Sequence, residues 1–186
     1  MFARIKQREI ILCGLFTALI AIGAFIKIPV PVVPFTLQLL FTMLAGIFLG
    51  GRLGAVSVGI YVLLGLIGVP VFVEGGGPGY ILQPTFGYLV GFILGSYLTG
   101  CIAGGENCPS YKRLLAANFA GLVIVYTCGL LYCYFISNFY LGKALSVWML
   151  FLYGFVLAVP GDIMLCILAA ILGKKLVPVF HLMSAK

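Results

Sequence analysis

Residues 74–91 read EGGGPGYILQPTFGYLVG, a polar, glycine-rich interruption between two long apolar runs. Glycine in a helix interior costs about 1 kcal/mol and proline about 3 kcal/mol relative to alanine. The run Gly75–Gly77 and the prolines Pro78 and Pro84 therefore exclude a continuous helix here. Irregular backbone near membrane depth is tolerated only where protein covers it or where it lines a cavity. Tyr80, Gln83 and Thr85 set hydrogen-bonding side chains beside that backbone, so the stretch reads as a binding loop, with a plain extracellular hairpin as the competing reading.

The flanking runs make the chain an integral membrane protein. Of its 186 residues 63 % are hydrophobic and 8 % charged, and mean hydropathy is +1.25. Soluble domains carry about 25 % charged residues. The formal net charge is +7, but the basic residues stand at the ends of apolar runs rather than in a patch with interleaved aromatics. Their partner is then the anionic leaflet and membrane lipid, not nucleic acid. Of six cysteines, Cys13, Cys128, Cys133 and Cys166 lie inside apolar runs and no CxxC pair occurs, so free thiols packing as small hydrophobes are expected and no metal site is. The N-terminal run is too long for a cleavable signal and is followed by further spans.

Working outward, the spacing predicts an all-α bundle of six membrane helices in a single domain covering residues 1–186, with spans near 9–28, 35–51, 53–73, 86–103, 114–136 and 145–172. The first has 20 residues, enough to cross ~30 Å of hydrocarbon. Pro70 is expected to end the third. Pro29, Pro31 and Pro34 predict an extended, re-entrant connection between the first two. Arg4, Lys6, Arg8, Arg52, Lys112, Arg113, Lys174, Lys175 and Lys186 fall on one side, and Lys27 and Lys143 on the other. The positive-inside rule then makes both termini cytoplasmic, with Tyr140 and Trp148 as interface anchors.

Small residues mark packing faces. Gly87, Gly91 and Gly95 recur every four residues and should bury the fourth span in the bundle, and Gly54, Gly59, Gly65 and Gly68 thin the third. Gly14, Ala18 and Ala21 form a docking stripe on the first span, toward a partner in this chain or in another.

Asp162 is the one acidic residue within an apolar run, and an aspartate at a span centre costs about 2.5–3.5 kcal/mol. Beside Pro160 and Gly161, it suggests a broken helix carrying a carboxylate, the signature of a transport site. An aspartate satisfied by backbone amides and water is the bland alternative. Lys27, at the end of the first span, is either the complementary charge or a lysine that snorkels to the headgroups. No phosphate-cradling GxxxxGK[ST] loop is present, so energy for transport has to come from elsewhere. The lone histidine, His181, lies away from the polar loops. No Ser/His/Asp or HExxH arrangement exists, and an enzyme is disfavoured.

Taken together, IPVPVVPFTLQ (28–38), GVPVF (68–72), GGPGYILQPTFGYLVGF (76–92) and PGD (160–162) resemble the BioY family, the biotin-specific substrate-binding (S) components of energy-coupling factor transporters. The resemblance implies six membrane helices, biotin bound near the outer leaflet of a bacterial cytoplasmic membrane, and assembly with a transmembrane coupling protein and two ATPase subunits. It implies no cofactor beyond the transported ligand. Asp162 would accept from the ureido N–H groups, Tyr80 and Gln83 would line the capping loop, and Gly14 and Ala18 match a docking face toward the coupling protein. Many members continue PGDxxK with a lysine for the biotin carboxylate; this chain has Leu165 there, and Lys27 is the substitute the sequence permits. An S component for another vitamin and a self-sufficient facilitator remain alternatives.

Overall fold

The computed structural model describes residues 7–28, 35–104, 108–142 and 145–184. The prolines of 29–34, Arg4, Lys6, Glu106, Lys143, Lys186 and the side chain of His181 lie outside the described residues. Helix α1 (Gln7–Phe25) leads into a two-strand ladder of β1 (Lys27–Ile28) and β2 (Phe35–Thr36), pairing Lys27 with Thr36 and Ile28 with Phe35. Then follow α2 (Gln38–Leu66), a 3₁₀ turn (Pro78–Leu82), α3 (Phe86–Ala103), α4 (Tyr111–Phe135) running on as a π-turn to Tyr140, α5 (Val147–Phe151) with a π-turn to Val156, and α6 (Val159–Ser184). Among the described residues, 5 helical segments are long and apolar enough to cross a membrane.

Helix α2 is a hairpin. Gly50 takes φ 79° and ψ 171°, a region essentially reserved for glycine, and the chain folds back there. A Cβ built on Gly54 would lie 2.9 Å from the Gly46 Cα, and the Gln38 amide donates to the Tyr61 hydroxyl at 2.7 Å. In a straight helix those two residues would stand about 34 Å apart. The reversal falls at Gly50 rather than at Arg52, because only glycine can adopt that backbone.

Helix α3 runs through the middle with glycine on two faces. Added Cβ atoms at Gly46 and Gly51 of α2 would meet the Ser96 and Tyr97 carbonyls of α3 at 2.5 and 2.7 Å. On the other side, Cβ atoms at Gly91 and Gly95 would sit 2.8 Å from the Val125 Cα and 3.0 Å from the Gly121 carbonyl of α4. The four-residue glycine period is thus a backbone-contact face, as its spacing predicts. In α2, Gly54 and Gly65 meet neighbours, whereas Gly59 faces open space and Gly68 belongs to a turn.

Two ends emerge. At one, the α2 tip meets the C-terminal end of α3. Arg113 donates through Nε and Nη2 to the Ile102 and Gly104 carbonyls at 2.6 Å each, and the Lys174 ammonium donates to the Pro109 carbonyl at 3.1 Å. Arg113 thereby satisfies carbonyls at the end of α3 that no further helical turn can reach, and Lys174 one in the connection to α4. At the other end lie the β-ladder, residues 67–85 and the start of α6. All six cysteines are free thiols.

Gly91→Leu should destabilise the bundle by about 1–3 kcal/mol, read as a lower midpoint of thermal unfolding in detergent. Gly59→Ala, where nothing lies within 4 Å of the added carbon, should leave the midpoint unchanged or slightly raised. Equal midpoints for Gly91→Leu and the parent chain would remove the backbone-contact account of α3.

Candidate functional site

The loop after α2 is built before it is decorated. The helix ends at Leu66, four residues before Pro70, because Gly68 turns to φ 111°. That turn hands the Gly68 N–H to the Gly65 carbonyl at 3.2 Å and the Val69 N–H to the Leu64 carbonyl at 3.1 Å. Glycine, not the proline, stops this helix. The Phe72 ring then fills the notch left by Gly65, where any side chain would collide with it. It meets Tyr61 edge-on at 5.5 Å and Tyr80 at 4.4 Å. Further ties come from the Gly77 N–H to the Gly65 carbonyl at 2.7 Å, the Tyr61 hydroxyl to the Val71 carbonyl at 3.1 Å, the Lys27 ammonium to the Val73 carbonyl at 3.0 Å, and the Tyr132 hydroxyl to the Ile81 carbonyl.

The start of α6 supplies the carboxylate. The preceding π-turn ends at Val156 and α6 begins at Val159, so Pro160 sits in a first helical turn. Proline is tolerated there, since its missing N–H would have no intrahelical acceptor. The expected break at Pro160–Asp162 is therefore a helix beginning: Asp162 lies in the first turn, its N–H bonded to the Ala158 carbonyl at 3.2 Å. A carboxylate is favoured at that end of the helix dipole. The Tyr126 hydroxyl donates to Asp162 Oδ2, and Tyr126 is held edge-on by Tyr88 at 5.9 Å and Phe155 at 5.3 Å. The Phe35 ring packs over Gly161, where a Cβ would lie 2.5 Å from it.

Between loop and helix start lies an open-mouthed cavity. Its polar groups are Asp162 and Tyr126 with Tyr88 on one wall, Thr36 and Gln38 from the β2–α2 junction, and Glu74, Tyr80 and Thr85 from the loop; Leu89, Phe92 and Val125 are among its apolar lining. The Thr36 hydroxyl donates to Gln38 Oε1 at 3.2 Å, and Gln38 donates on to Tyr61. Burial pushes the Tyr80 hydroxyl above its usual range and the nearby Glu74 adds to this, so it is a neutral phenol at neutral pH.

Two of the four ligand-facing residues expected from sequence, Asp162 and Tyr80, line the cavity. Gln83 is exposed and outside the lining, because the chain leaves the 3₁₀ turn at that residue with ψ 139°. Lys27 is exposed beside the mouth, held to Val73. Leu165 is buried among apolar side chains. Tyr126, Tyr88, Thr36 and Glu74 are additions; the one signal for the first two is a tyrosine inside an apolar run. On α1, Gly14 and Ala18 are exposed and Ala21 is partly buried against the core. Cys13, Thr17 and Ile20 face inward, with the Thr17 hydroxyl donating to the Ser57 carbonyl at 2.9 Å.

Comparison with known proteins gives a consistent family. The sequence model described as "BioY family" matches residues 1–181. The chain is 45% identical over 180 residues to a probable biotin transporter BioY of Lysinibacillus sphaericus, covering 95% of this chain and 92% of that protein. It is 43% identical over 174 residues to the biotin transporter BioY of Thermotoga maritima, covering 91% of this chain and 96% of that one. A solved structure, the S-component for biotin from an ECF-type ABC transporter, superposes with a TM-score of 0.74 at 28% identity, over 95% of this chain and 94% of that one.

Proposed function

Since the chain belongs to the BioY family, we propose that it is the substrate-binding (S) component of an energy-coupling factor transporter and captures biotin in the cavity between the 67–85 loop and the start of α6. The observation that carries this reading is the Asp162–Tyr126 pair. Tyr126 occupies Oδ2, and among the described residues none bonds Oδ1, so it can accept from a ligand. The ureido ring of biotin brings N–H donors and is fused to an apolar sulfur-containing ring, which suits a carboxylate set in aromatic walls. Tyr80 closes over the ligand, Lys27 steadies the rim through Val73, and Gln83 acts from outside the lining.

The wider reading follows the bundle. Counted as two arms, α2 raises the number of crossings to six and puts both termini at the end that carries Arg52, Arg113 and Lys174, the cytoplasmic side of a bacterial membrane. The exposed Gly14–Ala18 face of α1 is the surface for a transmembrane coupling protein, which brings two ATPase subunits. The protein is a transporter subunit and not an enzyme.

Three measurements test these proposals. Hydrogen bonds to charged groups contribute about 1.5–3 kcal/mol, and about 1.4 kcal/mol is tenfold in affinity. Asp162→Asn should therefore weaken biotin binding by roughly 10- to 100-fold in equilibrium titration. Parent-like affinity in a folded variant would place the ligand elsewhere. Gly14→Leu or Ala18→Trp should abolish coupled uptake in cells supplying the partner subunits while the purified variant still binds biotin; parallel loss of both would make the stripe an internal packing face. For topology, an impermeant thiol reagent should reach Gly79→Cys, at an open loop position, from outside only, and the exposed native Cys108 from inside only. Labelling of both from one side would sink the six-crossing arrangement.

A further inference from the structure

The cavity carries the wrong charge for an acid. Its two acidic lining side chains are Asp162 and Glu74, and among the described residues no lysine or arginine lines it. The 29–34 segment beside it in sequence, PVPVVP, holds no ionisable side chain. Lys27 stands next to the mouth, but its ammonium is bonded to the Val73 carbonyl at 3.0 Å and is exposed, where an ion pair contributes little. Leu165, one helical turn beyond Asp162, is buried in the apolar core and offers no charge. A ligand carboxylate meets an acidic side chain in either orientation: Asp162 at the α6 start, or Glu74 on the loop. The remaining polar lining is neutral hydroxyl and amide, from Thr36, Gln38, Tyr80, Thr85, Tyr88 and Tyr126, and serves ureide, amide and ester groups as well as an acid.

We propose, resting on the biotin reading above, that the site recognises the bicyclic ureide and does not select for a free side-chain carboxylate, so that carboxyl-modified biotins, the amides and esters, are ligands on a par with biotin itself. Glu74, exposed like Lys27, is the acid that a ligand terminus directed away from Asp162 meets on the loop. Its charge at the mouth acts against the free acid and is indifferent to an uncharged terminus.

The test is calorimetric titration of the purified chain with biotin, biotinamide and biotin methyl ester. The three dissociation constants are expected within about fivefold of one another, the ratio that a solvent-exposed ion pair of up to about 1 kcal/mol could produce. Amide or ester binding tenfold or more weaker than biotin would show that a cation reaches the acid and would overturn the proposal while leaving the biotin reading intact. Binding of none of the three would overturn that reading as well. Glu74→Gln should raise the preference for acid over amide by about two- to fivefold; an unchanged ratio in a folded, binding-competent variant would remove Glu74 from its assigned role. Lys27→Ala should move acid and amide affinities in parallel, because it acts through Val73. A loss confined to the acid would identify Lys27 as the carboxylate's partner and end the proposal.

Discussion

Backbone-to-backbone approach across α3 is the constraint on which everything else depends. Helices in lipid gain little from burying one another's apolar surface and associate instead through close van der Waals contact, for which small residues are needed. Here the α2 hairpin reaches one side of α3 through Gly46 and Gly51, and α4 reaches the other through the face of Gly91 and Gly95. With three layers at that separation, Val125 and Tyr126 of α4 and Tyr88, Leu89 and Phe92 of α3 converge on one cavity together with Gln38 and Leu39 of α2. The cavity lies at the loop end of these closely packed helices.

Electrostatics are divided between the ends of the bundle. One end is laced by cations on carbonyls, Arg113 across the end of α3 and Lys174 onto Pro109. The other holds its acids at a helix start and on a loop, where Asp162 is offset by the α6 dipole and Tyr126 rather than by a counter-ion. A carboxylate stabilised by hydrogen bonds keeps a lone pair for a ligand. One clamped in an ion pair would present that ligand with competition.

Much of this was legible because it is local. The glycine period of 86–103 announces a contact face, and α3 spans those residues; Asp162 stands out because an acid in an apolar run needs a reason. What could not be read depends on pairing across the chain. Tyr126 meets Asp162 over 36 residues, and a tyrosine in an apolar run looks like packing until its partner is seen. Pro70 is the expected end of α2, yet Gly68 turns the chain before it. The Pro160–Asp162 segment reads equally as an interruption or a beginning, and the π-turn just before it, which no composition signals, makes it a beginning. Tyr80 and Gln83 share a segment but not a direction, since the backbone extends at Gln83.

Phe72 bears on how the loop over the cavity is held. Its ring is lodged in the Gly65 notch and packed against Tyr61 and Tyr80, which fixes the proximal end of the covering segment. Its distal end rests on the hydroxyl of Tyr132 at Ile81, with Ile81 and Leu82 themselves exposed, and a bond in that setting breaks at lower cost than the aromatic wedge. The two attachments of the covering segment draw on different residues, so one can change in evolution without the other.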